Sequence, residues 1–195
     1  LGVIIVTLFD NTKVIKQNWN AVKEEFVKST ENTASSNLNM MVNDFIYYYE
    51  KGFRANKFGI PGGVFSSGAL PDRVEGYYSE VFTKELALVA MTSIKNFFNG
   101  ISFENNEVKG QCLKSYLDYI ESEKEKLLSD EINTQLNIAE RSINELDTSL
   151  VNQINSDLTT LLRTYDDIQA TVPLLKVDML QVMNMNVDYA DADGD

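Results

Sequence analysis

Histidine is absent from this 195-residue chain. That absence removes Ser-His-Asp and Cys-His nucleophilic machinery, and every His-ligated zinc site, from the chain's own chemistry. Cysteine is nearly as scarce: Cys112 stands alone, which permits no internal disulfide and no multi-thiolate metal centre. Its setting, QCLKSYL, reads as an apolar helical position holding a small buried hydrophobe. Positive charge is also short. Seventeen Lys plus Arg against 29 Asp plus Glu leave a net charge of −12, the opposite of a phosphate-binding surface, and no nucleic-acid partner is expected. No apolar run reaches the roughly 20 residues of a membrane span. The longest apolar stretch, LGVIIVTLF at residues 1–9, lacks the basic region that would precede it in a signal peptide. An apolar start of this kind is expected of a chain cut from something longer. Carboxylate, Lys, Tyr and backbone chemistry remain.

What is present is ordinary globular material, 44% hydrophobic and 24% charged, in a length that suits one domain over 1–195. Charge is divided unevenly. Residues 1–100 hold ten bases and ten acids, whereas 101–195 hold seven bases and 19 acids, so the whole net charge lies in the second part. The three prolines stand at 61, 71 and 173, and most of the remainder carries helical periodicity.

Asp10 reads as a helix cap, followed by faces marked by Val14, Val22 and Phe26 and then Met40, Met41, Phe45 and Tyr48. The polar stretch STENTASSNLN between them predicts a break. Residues 53–73, with four glycines and two prolines, read as a long structured loop. Val74–Phe98 reads as a helix stopped by Asn99-Gly100. From Ile132 through Leu136, Ala139, Ile143 and onward to Leu175, apolar residues recur in twelve steps over 43 residues, a spacing near 3.6 that suits a packed bundle. One long helix or two are both compatible with 127–172, because Asp147-Thr148-Ser149 can cap a new one. Pro173 should kink or end the helix near Gln169. Only the ends, VIIVTLF and MNVDYA, leave room for short strands. The expected class is all-α: an up-and-down helical bundle with a long Gly/Pro-rich loop.

Three constellations could carry chemistry. Lys51, Arg54 and Lys57 lead into Gly59-Ile60-Pro61-Gly62-Gly63, where bases beside a glycine-rich backbone suit an anion. They also suit a helix end, where cations meet the negative end of the dipole. PDRVEGYYSE places Asp72, Glu75 and Glu80 at a helix start, and Glu75 with Tyr77 and Tyr78 could line a pocket facing the glycines. The terminal Asp191, Asp193 and Asp195, after Asp188, have the alternate spacing of a weak calcium site, without the Gly and Glu that complete an EF-hand.

The blocks NDFIYYYEKGFRANKFGIPGGVFSSGALPDRVEGYYSE, KELALVAMTSIKNFFNG and VPLLKVDMLQVMNMNVDYADADGD occur in that order. Together they resemble the imelysin-like family, specifically its C-terminal half, from about Trp19 to Asp195. The resemblance implies half of a two-bundle helical fold with a site between the halves. It also implies an exported protein of the periplasm or outer-membrane surface of Gram-negative bacteria, often a lipoprotein, linked to iron uptake and classed with metallopeptidases. The family's GxHxxE motif belongs to the N-terminal half, and a chain without His cannot contain it. By motif position, the second half's contribution falls on Arg54, Lys57, Gly59, Pro61, Gly62, Gly63, Ser66 and Glu75.

The expected role is therefore a binding module forming one wall of an interdomain site for a small ligand or metal. The partner would be the N-terminal half. Iron or zinc would enter only in the complete protein, and calcium at the aspartate tail. Two alternatives remain: a metal-dependent peptidase completed by the other half, and a structural or adhesive bundle.

Overall fold

The computed structural model describes residues 2–29, 31, 33, 35–79 and 81–188. Asp191, Asp193 and Asp195 therefore lie outside the described residues, as does Glu80. The chain is helical, as expected, and among the described residues the sole β feature is an isolated bridge between Ile101 and Lys109. Among the described residues seven α-helices of seven residues or more carry the fold: α1 Gly2–Lys28, α2 Asn37–Tyr47, α3 Thr83–Asn99, α4 Leu113–Ile120, α5 Leu128–Glu145, α6 Leu150–Ser156 and α7 Leu158–Gln169. None is long and apolar enough to cross a membrane, among the described residues.

The 3.6-residue stripe is the spine of the core. From Ile132 to Leu175 each of its residues is buried except the half-buried Leu158. It runs through three helices, more than the one or two expected over 127–172. Ser149 caps α6 by accepting from the Asn152 N–H, and Asp157 caps α7 by accepting from Thr160. Each break re-aims the chain while keeping the apolar face inward, so α5 packs against α7 on one side and α3 on the other. The helix ends at Gln169, as Pro173 predicts, and a short turn then leads into a π-helix, Leu174–Met179.

Several local expectations are corrected. The segment read as a loop from residue 53 is helical through Gly62: α2 continues without a break into a π-helix, Tyr48–Gly59, and a final turn, Ile60–Gly62. Its wider winding is seen where the Ile60 N–H donates to the Ala55 carbonyl, five residues back. Pro61 is tolerated because it sits in the first turn of that last piece. The true loop follows, and α3 starts at Thr83, with one short 3₁₀ turn, Tyr77–Ser79, among the described residues of 74–82. Its end at Asn99, closed by left-handed Gly100, agrees with the sequence.

Cys112 is partly exposed and caps α4 instead of packing as a core residue, its sulfur accepting from the Ser115 N–H. Asp10 caps nothing, because α1 runs straight through it, and the apolar start is helix instead of strand. The break after α1 is present where the polar stretch predicts it. No residue of α1 is buried, and Val14 and Val22, read as marking a helical face, are about half exposed.

Candidate functional site

The π-helix after α2 concentrates charge where charge is costly. Within Tyr48–Gly59, Glu50 is fully buried, Arg54 is 2% exposed and Lys57 is 9% exposed. A buried charge persists only when paired and hydrogen-bonded, and each of the three has partners in distant sequence. Glu50 accepts from the Lys176 Nζ at 3.3 Å, and Lys176 lies on the second π-helix. Local π windings recur at functional sites because they rotate side chains off the regular helical register. Here two of them face each other across a buried ion pair.

Arg54 is held by the end of α7. Its Nη1 donates to the Tyr165 hydroxyl at 2.7 Å and to the Gln169 Oε1 at 2.5 Å. A cation at this point also meets the negative end of the α7 dipole. The guanidinium lies against two rings, 5.8 Å from the Phe65 centroid and 5.7 Å from that of Tyr165. Tyr49, one turn earlier, donates its phenol to the Ile168 carbonyl at 3.0 Å, and burial pushes its ionisation well above the ordinary phenol range.

The glycine segment is what allows this closeness. A Cβ on Gly59 would sit 2.5 Å from Phe65 Cε2 and 2.9 Å from Tyr165 Cε2, so the position must be bare for both rings to reach Arg54. Gly63 has φ +79°, and a Cβ there would meet the backbone of Gly68 at 2.5 Å. Pro61 and Gly62 are buried, and a Cβ on Gly62 would lie 3.0 Å from Leu161 Cδ2. The N–H groups of Gly63 and Val64 donate inward, to the Ile60 and Gly59 carbonyls, and the Pro61 carbonyl accepts from Leu70. Ser66, exposed, donates its hydroxyl to the Gly68 carbonyl at 2.8 Å.

The buried charges reach an exposed carboxylate at Glu75. Lys57 donates to Glu75, whose side chain is 53% exposed and which the loop brings back over the π-helix. Tyr48 stands close enough that, after burial, the negative charge of Glu75 raises its phenol further. Tyr77 and Tyr78, expected beside Glu75, instead form an edge-on pair, with Tyr78 99% exposed. The structure thus unites Arg54 with Gly59, and Lys57 with Glu75. It adds Tyr48, Glu50, Tyr165, Gln169 and Lys176, which the sequence reading missed. Glu50 alone carried a signal, an acid four residues before the base Arg54 and seven before Lys57. Lys176, Gln169 and Tyr165 offered none.

A carboxylate and an ammonium at a half-open mouth can hold a polar ligand or lend one oxygen to a metal. Among the described residues no group of three or more acidic or thiol side chains converges to hold a metal by itself. No curated protein and no solved structure matches the chain. A family model described as Imelysin matches residues 1–173 of the 195. That match covers the stripe as far as Val172, both partners of the Lys57–Glu75 pair and the helix that holds Arg54, and the chain belongs to the imelysin family.

Proposed function

We propose that this chain is a binding module of a cell-envelope protein and supplies one wall of a ligand or metal-associated site linked to iron uptake. The observation that carries the reading is the Lys57–Glu75 pair, the point where a buried charged framework opens outward. Glu75 is the group offered to a ligand or metal, and Lys57 orients it and favours anionic character in what binds. Arg54 acts from inside, fixing Phe65 and Tyr165 so that the loop bearing Glu75 has one position. Gly59, Pro61, Gly62 and Gly63 hold the close backbone path, and Ser66 stands at its exposed rim.

The second wall is the half of the family that bears GxHxxE, and α1 supports such a partner. It presents Val3, Ile5, Val6, Leu8 and Phe9 to solvent at 58% exposure or more, an apolar area that a covering surface would remove from water. Family membership supports placement in the periplasm or on the outer-membrane surface. The single described carboxylate at the mouth supports a metal site completed from outside this chain.

Equilibrium dialysis against iron, zinc and calcium, followed by elemental mass spectrometry, tests the reading. The chain is run alone and mixed with the GxHxxE-bearing half. Stoichiometric iron or zinc in the mixture, reduced by Glu75→Gln, is the expected result. Metal retained equally by the variant removes Glu75 from the site. Calcium held by the isolated chain and lost on deleting residues 188–195 assigns it to the aspartate tail.

A further inference from the structure

A concavity of about 630 Å³ lies between α1, α2 and α3. Its size falls within the range of about 300–1,000 Å³ typical of small-molecule sites. Its walls are aromatic: Trp19 and Phe26 from α1 meet edge-on at 5.1 Å, and Phe45 from α2 stacks on Phe97 from α3 at 5.1 Å. Tyr48 adds a fifth ring. The lining contains one charged side chain, Asp44, and no base. Asp44 is exposed at the opening, and among the described residues no cation is paired with it. The remaining polar lining groups, on Asn37, Ser93, Tyr48 and Trp19, are neutral.

Aromatic faces carry negative quadrupoles and attract cations held against them. A carboxylate at the rim adds attraction of the same sign, and Glu75, whose charge reaches Tyr48, adds a more distant contribution. An anion would meet repulsion from Asp44 and from the ring faces, with no base in the lining to offset it. An uncharged apolar molecule would gain contact with the rings but nothing from Asp44.

We propose that this groove binds a small organic cation with an apolar body, its ammonium at Asp44 and its body among the rings of Trp19, Phe26, Phe45 and Phe97. The groove shares Tyr48 with the surroundings of Glu75 but is lined by neither Lys57 nor Glu75, and the Asp44→Asn test does not depend on the function proposed there.

Trp19 is the sole tryptophan of the chain and lies in the wall, so its fluorescence reports occupancy directly. The probes are 4-phenylbutylammonium, 4-phenylbutanol and 4-phenylbutyrate, which share one body and differ in charge. The expected order of affinity is ammonium over alcohol over carboxylate, with about tenfold between the first two. Asp44→Asn should bring the ammonium to the level of the alcohol while leaving the alcohol unchanged. Met40→Lys, at an exposed position on the wall, should abolish binding of the ammonium and improve that of the carboxylate. Equal binding of all three probes, tightest binding of the carboxylate, or no saturable change in Trp19 emission overturns the proposal. So does an ammonium preference that survives Asp44→Asn. Circular dichroism of both variants confirms that each remains folded before it is scored.

Discussion

Two helical stretches of this chain invert the usual relation between polarity and burial. The π-helix Tyr48–Gly59 carries Glu50, Lys51, Arg54 and Lys57, yet eight of its twelve residues are buried. The 27-residue α1 opens with a nearly continuous apolar run, yet none of its residues is buried. Position follows from partners. Glu50 meets Lys176, Arg54 meets the end of α7 and Lys57 meets Glu75, so the charged segment is matched across the fold. For α1 the described residues supply the edge of one groove, and the rest of its apolar surface stays exposed. Hydrophobicity states what burial would gain; complementarity decides whether burial occurs.

The sharpest way to break this contrast is to remove a partner from the buried segment. Glu50→Ala should destabilise the chain by about 3–5 kcal/mol, because it leaves the Lys176 ammonium 15% exposed beside an apolar core. Glu50→Met with Lys176→Met should recover most of that loss. Chemical unfolding of the three variants measures both effects. If the single change costs no more than the double, the pair does not hold the two π-helices together.

Closing the loop over the π-helix requires Gly63. Gly63→Ala combines a left-handed backbone with a backbone clash at 2.5 Å and should cost about 2–3 kcal/mol. The Arg54–Phe65 contact should loosen with it, seen as line broadening of the Phe65 ring in NMR.

Alkaline pH tests the same segment through Tyr49. Burial raises its folded ionisation above that of the unfolded chain, near pH 10. The unfolded state therefore releases this proton first. The stabilising contribution is complete below about pH 10 and declines as pH rises beyond it. Urea titrations between pH 8 and 11 should show a steeper loss for the native chain than for Tyr49→Phe, which is less stable at pH 8 through loss of the bond to Ile168. Parallel curves would remove Tyr49 from the account.

Smaller effects sharpen the comparison at its edges. Ser149→Ala deletes the cap that restarts the stripe at α6 and should cost about 1 kcal/mol in thermal or urea unfolding. Val6→Glu, on the uncovered helix, should change the stability of the isolated chain by less than about 0.5 kcal/mol. The same substitution should weaken binding to the GxHxxE-bearing half in calorimetry.

The stripe from Ile132 to Leu175 was legible because a 3.6-residue spacing survives capped breaks that keep one face inward. The stops at Asn99-Gly100 and before Pro173 were legible because Gly and Pro act locally. The π-helix was not, since its i to i+5 bonding has no apolar signature, and Gly-Ile-Pro-Gly-Gly reads as loop. Its glycines instead admit the rings of Phe65 and Tyr165 to the end of a helix. Arg54, Lys57 and Glu75 stood out by type and neighbourhood. Lys176 did not, because it is 126 residues from Glu50 and nothing local announces the pairing. Periodicity marked an apolar face on α1 but not its exposure, since such a face reads alike whether or not the chain itself covers it.

The most direct test is amide hydrogen exchange, read by mass spectrometry on the isolated chain and on its mixture with the GxHxxE-bearing half. The account predicts slow exchange over residues 48–59 in both samples, and fast exchange over 2–16 that slows in the mixture alone. Protection of 2–16 in the isolated chain, or exchange over 48–59 as fast as that of α1, would contradict it.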